Sequence, residues 1–161
     1  MKMLVELLAR AAQNDYRVAN AKGYGRVTDV GTGARIGMIR VEMGENEDGP
    51  VKSPWIKWGQ AAGALKLHSL PSVGQQVTLD CPNGDWEQAA ASPFTWSDDN
   101  PSPSSQTDEH VLTFGSVRLT IRGQQTLIEV AGAKVDVTDS KVEMSLGGRS
   151  VEIGDGGGHL R

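Results

Sequence analysis

Polar and apolar side chains alternate through the last third of the chain with a period of two, the signature of strands that have one wet face and one dry face. Val117, Leu119 and Ile121 begin the pattern, and Leu127 and Val130 continue it with an irregular step. Val135 and Val137, then Val142, Met144 and Leu146, then Val151 and Ile153 complete it. The connecting segments RGQQ, AGA, TDSK and GGRS are turn formers. Val135, Val142 and Val151 open successive strands at spacings of seven and nine residues, a loose structural repeat of the kind seen in solenoids and β-helices.

The first residues follow another period. Leu4, Leu7, Leu8, Ala11 and Ala12 fall at i, i+3, i+4, i+7 and i+8, the apolar stripe of an amphipathic helix that ends near Asn14 and Asp15. Two readings stay open for it: a helix packed on its own domain, or a docking helix at a subunit or assembly contact. From Gly23 onward, YGRVTDV, ARIGMIRVEM, SPWIKWG, GQQVTLDC and DWEQAAASPF read as five strand pieces separated by the turn clusters GTG, GENEDGP, LPSVG and PNGD. Five short antiparallel strands in this length predict a small Greek-key barrel of the OB type. In the second piece Ile36 and Met38 are out of phase with Val41 and Met43, which predicts a bulge or bend across Ile39 and Arg40.

SDDNPSPSSQTDEH, from Ser97 to His110, holds four acidic residues, two prolines and four serines without a large aliphatic side chain, and reads as a linker. The predicted organisation is all-β: an N-terminal helix and lead-in (1–22), an OB-fold domain (23–97), a linker (98–110) and a C-terminal intertwined trimeric β-helix (111–161).

The trimer follows from the apolar rows. Each C-terminal strand has one apolar face, and its other positions carry Arg118, Arg122, Glu129, Lys134, Asp136, Lys141, Glu143, Arg149 and Glu152. One copy cannot enclose such a face, and a short single-chain solenoid would expose its edges. Three chains wound about a common axis would join their rows in a shared core of Val135, Val137, Val142, Met144, Leu146, Val151 and Ile153, with each strand paired to a neighbouring chain. At roughly 2 kcal/mol for each buried side chain, that core contributes on the order of 14 kcal/mol per chain as an upper bound.

Charge and composition narrow the chemistry. With 16 basic and 20 acidic residues the formal charge is −4, too acidic for a phosphate-binding field. The single cysteine, Cys81, rules out an intrachain disulfide and reads as a small strand residue. No apolar run reaches the roughly 20 residues of a membrane span, and Glu6 interrupts the apolar N-terminus, so a soluble product without a secretory leader is expected. His68 beside Ser69, and His110 after TDE, fit neither a nucleophile elbow nor a zinc-hydrolase spacing. Asp98, Asp99, Asp108 and Glu109 lack a calcium-loop spacing and read as a solvated acidic linker. GTGAR and GYGRV are turns without the full phosphate-binding fingerprint. Trp55, Trp58 and Trp86 read as barrel core or interface ahead of base-stacking residues, since the barrel segment holds six basic and eight acidic residues.

The order of parts, with GRVTDV opening the barrel, SPW at Ser53 to Trp55, LPSVGQQVTLDCPNGD at Leu70 to Asp85 and DEHVLTFG at Asp108 to Gly115, resembles the baseplate assembly protein V family of contractile phage tails. The strongest element is the spacing of Pro71, Gly74, Val77, Pro82, Gly84 and Asp85. The resemblance implies a non-enzymatic, homotrimeric central spike in the virion tail baseplate, assembled in the host cytoplasm, that caps the tail hub and pierces the host outer envelope when the sheath contracts. It implies a hub protein as partner, with Leu4, Leu7, Leu8, Ala11, Trp55 and Trp58 at the hub or assembly interface. The family's tip can hold a metal through a His-x-His pair from each chain. Here His159 stands without a second histidine, so a tip metal would rest on three copies of His159 on the threefold axis, and a separate tip protein is the other way to finish the needle. No other cofactor is expected. Two rival readings are an OB-fold nucleic-acid-binding protein and a β-helical carbohydrate-active tail protein, the latter needing a carboxylate pair such as Asp136 and Glu143.

Overall fold

The computed structural model describes residues 2–154 and the backbone of 157–160, in two compact units divided between Pro101 and Ser102. The chain is mostly β with one N-terminal helix.

In the first unit, helix α1 (Lys2–Ala19) leads into β1 (Lys22–Val30), β2 (Met38–Asn46), β3 (Gly49–Lys52), β4 (Ile56–Trp58), β5 (Gln76–Asp80) and β6 (Ala90–Pro93). β1, β2, β4, β6 and β5 close into a ring, because β1 pairs with both β2 and β5. Every pairing in the ring is antiparallel except β4 with β6. This is a closed five-stranded barrel of the OB type, and β3 is a hairpin extension of β2 outside the ring. Alternate positions point inward, so Val27, Ile39, Val41, Ile56, Trp58, Val77 and Leu79 meet Cys81, Ala89 and Ala91 in one core. Burial raises the pKa of the Cys81 thiol, with the nearby Asp80 charge adding to it.

The predicted break in β2 lies elsewhere. Ile39 and Val41 are both fully buried and in phase, while Ile36 is exposed. Gly33–Arg35 form a 3-10 turn and Gly37 has a positive φ, so the strand starts at Met38 and Ile36 is not part of it. The register shifts occur instead in β1 between Val27 and Asp29, and between Glu42 and Glu45 where β2 meets β3. Ser53 mends the ladder beyond the second shift. Its amide donates to the Val41 carbonyl at 2.8 Å, and its buried hydroxyl accepts from the Val41 amide at 3.0 Å and donates to the Pro54 carbonyl at 2.7 Å.

The Pro71 to Asp85 motif also acquires a physical meaning. Pro71 is buried, Gly74 adopts a positive φ and donates its amide to the Val27 carbonyl, and Val77 lies in the core. Gly84 has φ +71°, and a Cβ there would lie 3.4 to 3.8 Å from Asn20, Tyr16 and Arg17, so this is where the end of α1 rests on the barrel. Asp85 then caps the 3-10 turn Trp86–Gln88 through the Glu87 amide.

The second unit is a sequential antiparallel meander of β7 (His110–Phe114), β8 (Val117–Arg122), β9 (Gln125–Val130), β10 (Ala133–Thr138), β11 (Lys141–Leu146), β12 (Arg149–Gly154) and β13 (Gly157–Leu160). From Val117 the strands start every eight residues, and β8 to β12 each span six with two residues in the turns that join them. Ala131–Gly132 and Gly147–Gly148 have positive φ at both turn positions, the type I′ geometry that suits two-residue hairpins. The expectation that each strand pairs with a neighbouring chain is corrected: β8 to β12 each pair with their sequence neighbours on the same chain.

Candidate functional site

The eight-residue step gives the meander two chemically distinct faces. A six-residue strand followed by a two-residue hairpin reverses direction and shifts the inward phase by one. The apolar face therefore takes the first, third and fifth residues of β8, β10 and β12 and the second, fourth and sixth of β9 and β11. Across the sheet Leu112, Leu119, Ile128, Val135, Met144 and Val151 form one cross-strand row, and Ile121, Thr126, Val137, Val142 and Ile153 form a second.

These side chains are uncovered. Met144 is 51% exposed, Ile153 61%, Leu146 65% and Phe114 84%. On the opposite face the carboxylates Glu129, Asp136, Glu143 and Glu152 are half-buried. A soluble sheet with one wet face normally has the reverse arrangement, and an apolar area of this extent marks an interaction surface. A cavity of about 530 Å³ lies over this face between Val135, Met144, Leu146 and Val151.

The seven residues predicted as a shared core all lie on this face. Two neighbours were misplaced by the sequence pattern. Leu127 pairs with Asp136 and Thr120 on the polar face, whereas Ile128 is on the apolar one. Arg149, expected among the outward charges, lies opposite Leu146 on the apolar face.

The polar face is tied by cross-strand charge. The Lys134 ammonium lies 3.2 Å from Glu129, and the Gln125 amide donates to both Asp136 oxygens at 2.9 Å. Glu143 and Glu152 stand directly opposite one another, a repulsive pairing that Lys141 relieves by donating to both, at 2.8 and 3.1 Å. Those hydrogen bonds, Glu143 first and then Glu152, raise the Lys141 pKa. Asp136 and Glu143, the carboxylates a glycosidase reading would need, are cross-strand neighbours engaged by Gln125 and Lys141.

Glu109 departs from the solvated linker expected for it. Its side chain is 3% exposed, accepts from the Ser104 hydroxyl and from Arg122 Nε at 2.9 Å, and lies 3.9 Å from the Arg118 guanidinium. The Ser104 hydrogen bond, followed by that of Arg122, holds its carboxyl below the usual carboxylate range. A depressed carboxylate stabilises the fold above its unfolded pKa of about 4.3, and the contribution is lost as pH falls through the folded value. Glu109→Gln is therefore expected to lower the melting temperature at pH 7 and to match the parent in acid below the folded pKa, as paired thermal melts across pH would record.

The remaining predicted site residues separate into exposed and buried groups. Leu4, Leu7, Leu8 and Ala11 are exposed, and α1 has no buried residue. Trp55 is half-buried, and the guanidinium groups of Arg35 and Arg40 lie 5.1 and 5.2 Å from its ring centre. Trp58, expected at a hub contact, is instead a core residue whose indole donates to the Ser69 carbonyl at 2.7 Å. Trp86 packs against the same core. Asp98 is exposed, and Asp99 makes an exposed ion pair with Arg26. Among the described residues no group of three metal-ligating side chains gathers. The backbone of residue 159 pairs in register with Glu152, and the His159 side chain lies outside the described residues.

Barrel and sheet together define a mostly β protein of the OB-barrel class. Residues 24–96 match the family model described as the type VI secretion system/phage-baseplate injector OB domain. The chain is also 30% identical over 145 residues to the spike protein of Escherichia phage P2, a match that takes in 83% of this chain and 63% of that protein. By both matches the chain is similar to the phage-baseplate injector and spike proteins. It spans less than two thirds of the length of the phage P2 relative.

Proposed function

We propose that the chain is the central spike of a contractile tail baseplate, a non-enzymatic homotrimer that caps the tail hub and perforates the host outer envelope when the sheath contracts. The observation that carries this reading is the uncovered apolar face of the meander, with the strand charges other than Arg149 turned to the other side. Three such sheets packed about one axis would turn those faces into a continuous dry core. Each valine or leucine then removed from water contributes about 1.5–3 kcal/mol. A needle packed to the density of a protein interior has no soft layer along its axis and transmits force to its tip.

The barrel and α1 form the seat on the hub, and the glycine-rich end forms the tip, finished by three His159 side chains around a metal or by a separate tip protein. The assembly site is the host cytoplasm and the destination the virion tail. Both similarities support the baseplate setting, and the acidic composition favours it over nucleic-acid binding.

Deleting residues 1–15 is expected to leave a soluble trimer, held by the sheets, that fails to enter baseplates when it replaces the parent protein in spike-deficient tail assembly. Incorporation at the parental level would remove the docking role from α1.

A further inference from the structure

We propose that the α1 helices of three copies pack on one another as a short parallel coiled coil, so that the apolar seam of the helix is covered by the same chain and not by the hub. The inference rests on the trimer reading above and names the occupant of a face that reading leaves uncovered.

α1 has 18 residues and no buried side chain, with Leu4, Leu7 and Leu8 each at least 60% exposed. Most helical stability in proteins comes from packing an apolar face, and in the single chain α1 lacks that support. Its last turn is held at Gly84 by Tyr16, Arg17 and Asn20, so the rest of the helix needs a surface.

The sequence specifies that surface. Leu4, Leu7, Ala11, Asn14 and Val18 recur at steps of three, four, three and four, the a and d positions of a heptad seam. Met3 and Arg10 then occupy g positions, and Leu8 and Asp15 occupy e positions. In a parallel, in-register coil each g residue meets the e residue five positions further along the neighbouring helix. That brings Arg10 to Asp15 and Met3 to Leu8: one opposite-charge pair and one apolar pair at every interface. An antiparallel arrangement would set g against g, opposing Arg10 and Arg17 with like charge. Copies related by a threefold axis must run in the same direction along it, so charge pattern and symmetry agree. Asn14 supplies a single polar layer, at a d position. Val5 and Ala12 fall at b, on the outside of the bundle, and remain free to meet a hub.

The test is copper–phenanthroline oxidation of the full-length chain carrying Leu7→Cys at a seam position or Ala9→Cys at an outer f position. The unmodified chain, whose own Cys81 is buried, serves as blank. Disulfides form only when Cα atoms approach within about 7 Å, so Leu7→Cys is expected to give at least tenfold more covalent dimer than Ala9→Cys. Adding Arg10→Asp to Leu7→Cys should lower that yield, and the further change Asp15→Arg should restore it. A protein of trimeric mass in which Leu7→Cys links no better than Ala9→Cys overturns the coiled coil and leaves the spike trimer standing. A protein of monomeric mass overturns both.

Discussion

Met144→Asp is expected to convert the assembled protein to monomer. Met144 lies between Val135 and Val151 in the cross-strand row of the apolar face and is half exposed in the single chain. In a three-chain core the substitution places three carboxylates around one axis with no basic side chain in the row to meet them. Each buried, unpaired charge costs several kcal/mol, and mutual repulsion adds to it. The control is Ser145→Asp one residue along, on the polar face, where the register partners are Lys134 and Ser150. That variant should retain the parental mass in sedimentation. If Met144→Asp keeps it too, the apolar face is not the trimer core.

Trp58→Ala has the second-largest expected effect, and it falls on a different unit. The indole is 8% exposed, packs in the barrel core with Ile39 and Ile56, and donates to the Ser69 carbonyl at the foot of the long loop between β4 and β5. Truncating a buried tryptophan to alanine costs about 3–5 kcal/mol, a large part of the stability of a barrel this small. Chemical denaturation followed by tryptophan fluorescence should show the barrel transition moved far toward low denaturant. A surface hub contact would behave otherwise, losing docking with the barrel transition unchanged, so the experiment also checks the reassignment of Trp58 from interface to core.

Much of this was legible in the alternation of side chains. The barrel and the meander both follow from period two, because strands that bury one face cannot slip by a residue without exposing their apolar set. The eight-residue repeat was hidden because the first apolar residue of successive strands alternates between two positions. Val135, Val142 and Val151 therefore appear at steps of seven and nine although the strands step by eight. The same change of phase concealed the places of Leu127 and Arg149. β3 was read as a turn because Gly49 and Pro50 are poor strand formers; it exists as a hairpin continuation of β2, where edge position tolerates proline. Glu109 was misjudged for another reason. Composition marks an acidic, serine-rich segment as solvated, and nothing local reveals that Arg118 and Arg122 return from the next strand to meet its carboxylate. Trp58 and Trp55 differ by three residues, and only the pairing of β4 with β2 and β6 decides which one faces the core.

The central claim is that the exposed apolar face of the meander is the inside of a three-chain spike. Solution mass by sedimentation equilibrium of the intact chain tests it most directly. The account predicts a species of three times 17.2 kDa that persists on dilution and resists heat and mild detergent. A stable monomer of 17.2 kDa, with the face of Val137, Met144 and Ile153 open to water, would contradict it.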